Sequence, residues 1–360
     1  MANDRDAVWA DRYSRQIRFA PIGEQGQRKL ADACVLIVGV GALGASLAQH
    51  MVRAGVGEVR LVDRDFVEPS NLQRQMLFDE ADALAVLPKA VAAANKLRVI
   101  NSGVKVTAEV AEVGRGNAER LAAGTQLVLD GTDNAKTRVL LSDVCYRLGI
   151  PFVYGGVAGA GAMSAVLIPG ETSCFRCLIG ADEHEQEADT CDTVGVLAAA
   201  VEFTAALQAA EAVKWLTGNR AAMRGTWLSA DLWSFRVREA ALPKGRAACA
   251  YCGQPHGAAA AAGQADSEGP EMVSALLCGR DSVQVTLGRA LDLSRLECRL
   301  RERGCALTVN RYLVKAVLQD GVSLVLFPDG RVLVQGTHDA GRAVELCKEY
   351  ILEQELPAPR

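Results

Sequence analysis

A doubly wound α/β sheet of the Rossmann type, followed by a smaller α+β domain, is the fold this chain predicts, and three observations carry the prediction. The first is the order of features between residues 33 and 63: an apolar run (ACVLIVG), a glycine turn, an apolar helix to about Ala54 and a second run (EVRLVD). That is a β-α-β unit, and it implies parallel strands. The second is repetition, with further strand-like runs at 104–110, 126–131 and 151–155 separated by helical patterns at 89–97 and 136–148. The third is a change of character at 257–268, an Ala- and Gly-rich stretch that reads as a linker. The chain therefore divides into a large domain over 1–256, a linker over 257–269 and an appended domain over 270–360.

Each remaining element follows from its own pattern. After the last parallel strand a further strand is expected at GAMSAVLIPG, and then an Ala-rich helix from about Thr193 to Leu216 that is apolar all round and so expected to be buried. In the appended domain, strands are expected near 282–286, 324–327 and 331–335 and helices near 294–302 and 340–352, with Pro328-Asp329-Gly330 as a hairpin turn. A docking or dimer-supporting role is expected of this domain.

Bulk properties exclude several function classes. With 39 basic against 43 acidic residues in 360, and a formal net charge of -4, there is no basic field for nucleic acid. The N-terminal MANDRDAVWADRYSRQ is charged where a signal peptide needs an apolar core, so a cytoplasmic location is expected. The uncharged stretch 149–170 is interrupted by Pro151, Pro169 and many glycines, which argues for buried strands and not a membrane span. Eleven cysteines in such a chain read as metal ligands, nucleophiles and core residues rather than disulfides.

Gly39-Val40-Gly41-Ala42-Leu43-Gly44 joins a strand to a helix, where backbone can approach phosphates held at the positive helix end. Asp63 ends the next strand, 19 residues past Gly44, where a carboxylate binds ribose hydroxyls. Alone these features suggest NAD and a nicotinamide-dependent oxidoreductase. The following RDFVEPSNLQRQ changes that balance, because it puts Arg74 among polar side chains on the loop over the phosphates, a charge that hydride transfer does not need.

Five segments in order, Arg12-Tyr13-Ser14-Arg15-Gln16-Ile17, Asp63-Arg64-Asp65, Asn71-Leu72-Gln73-Arg74-Gln75, Pro88-Lys89 and Asp130-Gly131-Thr132-Asp133-Asn134, together with the glycine loop, resemble the MoeB/ThiF adenylyltransferases, bacterial relatives of the ubiquitin-activating enzymes. The resemblance implies ATP as substrate: Asp63 on the ribose, Asn71, Arg74 and Lys89 on the triphosphate, Asp133 on Mg²⁺, and Arg15 reaching the site of a neighbouring subunit in a homodimer. Carboxyl adenylation needs such a set, because attack on the α-phosphate builds negative charge that cations must offset. Taken singly, Arg74 also reads as a surface cation, and Asp130 and Asp133 as turn or capping residues. Before Lys89 the chain reads AVLPK, where the family usually shows a glycine. The implied substrate is the C-terminal glycine carboxylate of a ubiquitin-like sulfur carrier ending in Gly-Gly, whose narrow tail the glycine-rich segment 155–161 could admit.

Cys174-Phe-Arg-Cys177 and Cys249-Ala-Tyr-Cys252 are two C-x-x-C knuckles with 71 residues between them, the arrangement of a structural Zn²⁺ site. Four thiolates close the shell, so His256 is not needed. Cys191 lies in ADTCDTVGV after the acidic run 182–187, at a place where the family carries a cysteine that in thiazole-pathway members takes part in sulfur transfer from a persulfide donor. A half-buried structural cysteine is the alternative. Cys34, Cys145, Cys278, Cys298, Cys305 and Cys347 are expected to fill cores; a rhodanese loop at Cys278 is disfavoured by the shortness of its domain. Besides the oxidoreductase, an inactive zinc-stapled scaffold of the same fold is the competing reading.

Overall fold

The computed structural model describes residues 9–180, 194–253, 273–276 and 281–352. The chain divides into two compact units, Met1–Ala83 with Pro88–Gly263, and Leu84–Leu87 with Gln264–Arg360. Among the described residues no helix is long and apolar enough to cross a membrane.

In the first unit α1 (Ser14–Ile17) and α2 (Gly23–Ala31) precede β1 (Cys34–Val38), α3 (Ala42–Ala54) and β2 (Glu58–Asp63). Then come α4 (Glu80–Leu84), α5 (Lys89–Ile100), β3 (Lys105–Val110), α6 (Ala118–Ala122), β4 (Leu127–Asp130), α7 (Ala135–Leu148) and β5 (Phe152–Ala158). The unit closes with β6 (Gly161–Leu167), α8 (Phe175–Ile179), α9 (Ala198–Thr217), β7 (Thr226–Asp231) and β8 (Arg236–Ala241). They build one eight-stranded sheet in the order β3-β2-β1-β4-β5-β6-β7-β8.

The first five strands are parallel, as the β-α-β pattern implies. From β5 onward every pair is antiparallel, so the sheet is mixed. The turn at Gly159-Ala160 is too short for a crossover helix, and a direct turn can only reverse the chain. On one face Leu36, Val38, Val128, Phe152 and Leu167 pack with Leu141, Val144 and Cys145 of α7. On the other, α9 packs on α3, β5 and β6. It begins at Ala198, because the Leu197 N–H donates to Gly159 O (2.8 Å) and the Gly159 N–H to Gly195 O (3.0 Å). That bridge spends on a strand contact the backbone groups a helix would have used. Strand β8 is the sheet's edge, exposed at every residue, and Trp233 and Phe235 of the β7–β8 turn are 84% and 85% exposed.

The second unit holds β9 (Val273–Leu276), β10 (Ser282–Thr286), α10 (Leu293–Glu302), β11 (Ala306–Asn310), β12 (Leu313–Val317), β13 (Ser323–Leu326), β14 (Arg331–Gln335) and α11 (Ala340–Cys347). Its sheet, in the order β11-β12-β13-β14-β10-β9, is antiparallel throughout. Leu296, Leu300, Ala343 and Cys347 of the helices cover Val283, Val285, Val314, Leu324, Leu326, Val332 and Val334. Both helices start at aspartate caps: Asp292 accepts from the Ser294 and Arg295 N–H groups, and Asp339 from those of Gly341 and Arg342. The turn at Pro328-Asp329-Gly330 joins β13 to β14 as expected, with Gly330 at φ +92°. The expected helix 340–352 is α11 followed by a wider turn at Lys348–Leu352.

Candidate active site

The glycine turn is held by backbone contact that leaves no room for side chains. Gly39 has φ +79°, which glycine adopts at no steric cost. A Cβ on Gly44 would lie 1.7 Å from the Gly39 carbonyl oxygen, and one on Gly131 only 2.3 Å from that same oxygen. The Gly39 N–H donates to Val62 O (2.9 Å) and the Gly131 N–H to Val38 O (2.8 Å), so the ends of β1, β2 and β4 are drawn together here. At the head of this crevice the Asp63 carboxylate accepts from the backbone N–H of Val40 (2.6 Å) and of Asp65 (2.7 Å). Burial raises its pKa above the usual aspartate range, while the Lys89 cation pulls the other way. Each oxygen keeps a second lone pair for a ligand hydroxyl.

Lys89 opens α5 and is 3% exposed. Its backbone N–H donates to Asp65 O (2.9 Å), Phe66 and Pro88 form a β-bridge, and Nζ donates to Asp65 Oδ2 at 3.1 Å. The residues before it carry a left-handed valine, Val86 at φ +49°, in the segment where the family favours glycine. A β-branched side chain there costs about 1–2 kcal/mol, so the departure is met by strain and leaves Lys89 beside Asp63 and Asp65. Asn71 is 1% exposed and accepts from the Glu68 N–H (3.1 Å), which fixes the loop carrying Arg74. Arg74 is half-buried and donates to Ser70 O (3.0 Å). Sequence reasoning did not single out Gln75. It is 3% exposed, its Oε1 is without a hydrogen bond among the described residues, and its amide nitrogen lies 3.8 Å from the place of a Cβ on Gly41. Its position within NLQRQ was the only available signal.

The two aspartates of the next turn differ. Asp130 is fully buried, accepting from Thr132 N–H and Oγ1 (2.9 and 2.7 Å) and from Arg138 Nε (2.9 Å). Burial raises its pKa, with Arg138 opposing. Arg138 also donates to Gly155 O (3.0 Å) and lies over the Tyr154 ring, which ties the turn to β5. Asp130 is thus a structural anchor. Asp133, in contrast, is exposed, and Asn134 after it caps α7 by accepting from the Thr137 N–H at 3.0 Å. Asp133 is a carboxylate available to a cation.

Gly155 and Gly156 have packing reasons of their own: a Cβ would meet Gln208 Oε1 at 2.3 Å and the Tyr154 hydroxyl at 2.4 Å, respectively. A Cβ on Gly159, at φ +58°, would meet nothing within 4 Å among the described residues.

Cys174, Cys177, Cys249 and Cys252 converge, with all four Sγ atoms within 4.8 Å of one another. The pairs Cys174–Cys249 and Cys177–Cys252 stand 3.8 and 3.7 Å apart. Those separations are too long for disulfides, and they match the edge of about 3.8 Å of a tetrahedron with Zn–S near 2.3 Å. Donor set and spacing both fit zinc. Burial works against ionisation at Cys249, yet the backbone N–H groups of Cys252 and Tyr251 bring its thiol down to about 7. The knuckle is bolted to α7: Phe175 N–H donates to Ser142 Oγ (3.0 Å), Arg176 pairs with Asp143 (2.7 Å), and the Tyr146 hydroxyl donates to Ser173 O (2.8 Å).

Arg15 on α1 is exposed, while its neighbour Gln16 turns inward to donate to Ala54 O (2.9 Å) and Tyr13 is buried. Cys191, His256, Cys278 and the linker 257–269 lie outside the described residues. Of the cysteines expected in cores, Cys145 and Cys347 are buried, Cys34 and Cys305 are partly so, and Cys298 is exposed. Cys298 sits on the polar side of α10, whose apolar stripe is Leu296 and Leu300.

Residues 13–251 match the ThiF family. The sulfur carrier protein ThiS adenylyltransferase of Bacillus subtilis (strain 168) is 40% identical over 345 residues, covering 94% of this chain and 99% of that protein. The SAMP-activating enzyme E1 of Haloferax volcanii is 38% identical over 226 residues, 63% of this chain and 83% of that protein. The adenylyltransferase and sulfurtransferase MOCS3 of Bos taurus is 38% identical over 243 residues, 68% of this chain and 53% of that protein. Among solved structures, E. coli MccB with ATP superposes with a TM-score of 0.58 at 21% identity, over 68% of this chain and 75% of that one, a likeness of fold. The glycine turn, the acidic and basic residues around it and the two cysteine knuckles all lie within or at the margin of the matched span, and the chain belongs to the ThiF family.

Proposed function

We propose that this chain is an ATP-dependent adenylyltransferase acting on the C-terminal glycine carboxylate of a ubiquitin-like sulfur carrier. The observation that carries the reading is the extent of the match to the ThiS adenylyltransferase. It runs over 345 residues and so takes in most of the second unit, whereas the SAMP and MOCS3 relatives align over 226 and 243 residues. That favours a ThiS-like carrier with a Gly-Gly end over the other carriers. The named relatives are adenylyltransferases, which leaves the oxidoreductase reading without support.

In this reading a carrier carboxylate oxygen attacks the α-phosphorus of ATP. The bond to the β-phosphate oxygen breaks, pyrophosphate leaves with the electron pair, and a carrier acyl-adenylate forms. The backbone around Gly39, Gly41 and Gly44 lets phosphates approach the start of α3. Asp63 accepts from the ribose, and Asn71, Arg74 and Lys89 hold the triphosphate. Asp133 would hold Mg²⁺, which when bound would offset charge built up on the phosphates. Arg15 is supplied from one subunit to the site of the other in a homodimer, which suits its exposure. The four cysteine thiolates would hold zinc, which would fasten the two knuckles to each other. After adenylation the outer sulfur of a persulfide donor attacks the acyl carbon and AMP leaves; the Cys191 thiolate then attacks the donor's inner sulfur, forming a disulfide with the donor and releasing the carrier thiocarboxylate. The second unit serves docking.

The test is ATP–pyrophosphate exchange with purified carriers ending in Gly-Gly. Carrier-dependent exchange is expected, strongest with a ThiS-like carrier. Protein that binds zinc and ATP but exchanges with none of them refutes the reading and leaves the inactive scaffold.

A further inference from the structure

The residue after Asp63 is a cation whose surroundings are unusually acidic. Arg64 NH1 donates to Glu112 Oε1 at 2.8 Å, and Nε lies 3.8 Å from Asp65 Oδ1. Although burial opposes it, the carboxylates of Asp65, Glu112, Asp63 and Asp133 together make this guanidinium more basic than usual. Glu112 is itself held on the segment leaving β3: Asn117 Nδ2 donates to its carbonyl (2.9 Å), and the Ala111 N–H donates to Asp63 O (3.2 Å). The guanidinium therefore lies across the C-terminal ends of β2 and β3, next to the ribose-binding carboxylate, with its side chain 32% exposed.

In a sheet of this kind, an arginine beside the ribose-binding acid has two uses. It can take a 2′-phosphate, or it can lie against the base. Charge decides between them. A dianion at the 2′ position would stand among Asp63, Asp65, Glu112 and Asp133, and two of those carboxylates already engage Arg64. What the pairing leaves is a guanidinium plane in a fixed orientation, which suits an uncharged aromatic ring.

We propose that Arg64 forms one wall of the adenine pocket, its guanidinium plane against the purine face, and that Glu112 and Asp65 fix the orientation of that plane. Arg64 is thus a specificity residue for ATP, and Glu112 a positioning residue acting through it. The proposal rests on the ATP site described above.

The test is calorimetric titration of the full-length chain with a non-hydrolysable ATP analogue and, separately, with inorganic tripolyphosphate. Arg64→Ala is expected to weaken the nucleotide analogue about tenfold, the loss of one desolvated cation–π contact, and to leave tripolyphosphate unchanged. Arg64→Lys is expected to lose nearly as much, because an ammonium keeps the charge but has no plane. Glu112→Gln is expected to weaken the analogue about threefold without moving the thermal midpoint. Wild-type affinity in Arg64→Ala, restoration by lysine, or an equal loss for tripolyphosphate would each overturn the proposal. A wild-type chain that exchanges pyrophosphate but shows no Arg64 dependence sinks this inference alone; one that binds no ATP analogue sinks the adenylyltransferase reading with it.

Discussion

The nucleotide end of the sheet and the cysteine knuckle solve opposite problems with the same helix between them. At the nucleotide end the side chains with chemistry to offer sit on turns: Asp133 is exposed, Arg74 is half-buried, and Gln75 Oε1 has no hydrogen bond among the described residues. At the knuckle, four thiols from distant parts of the chain close on one another within 4.8 Å and are fastened to α7. One region is built to be completed by a substrate and the other to be completed by an ion and then left alone. Loss of a knuckle cysteine should therefore be read in stability, and loss of Asp133 in activity.

The largest expected effect is on the knuckle. Structural zinc contributes several kcal/mol to folding, so Cys252→Ser, or chelation at raised temperature, should lower the thermal midpoint by roughly 10 °C or more. Native mass spectrometry should find one zinc per wild-type chain and none in the variant; an unshifted midpoint would remove the distinction between the two regions. Next comes Asp133→Ala, expected to reduce exchange by about 10²–10³-fold while moving the midpoint by no more than about 1 °C. If exchange persists, Asp133 is a capping neighbour and nothing more. Gly44→Ala tests whether the open end has a rigid floor. Its Cβ would meet the Gly39 carbonyl at 1.7 Å, and a cost of about 1–3 kcal/mol should appear in the denaturation midpoint together with weakened ATP binding. The smallest effect is Asn134→Ala, which removes the cap of α7 at a cost of about 1 kcal/mol; a loss of exchange beyond that shared by Gln at the same position would mean that the cap also sets Asp133.

The same contrast governs what could be read from the sequence. The β1–α3–β2 unit and the glycine turn were legible because close backbone approach admits only glycine, and the cysteine ligands because C-x-x-C spacing is a local signal for a non-local site. Strands β7 and β8 were not legible: Arg236–Ala241 is exposed on both sides and has no apolar alternation to betray it. The reversal at β5–β6 was hidden because a buried strand reads as the same apolar run in either direction. The start of α9 was placed early because the apolar pattern runs on through Gly195–Leu197, where a bridge to Gly159 replaces the first turn. Nothing in the sequence marks Gln75, because a glutamine is ordinary until its neighbours are known, and Cys298 is exposed and not in a core because a helix's polar side can carry a cysteine at little cost.

Strand β8 has one more consequence, which concerns the protein among its own copies and not with its substrate. An edge strand offers a row of unpaired backbone groups that a second chain can extend, and here that row adjoins Trp233 and Phe235 at 84% and 85% exposure. What stands against runaway sheet extension is the charge written into the strand itself, Arg236, Arg238 and Glu239, all exposed. Neutralising the two arginines should leave the fold intact and shorten the time for which concentrated protein stays in solution, because these side chains act as gatekeepers against aggregation.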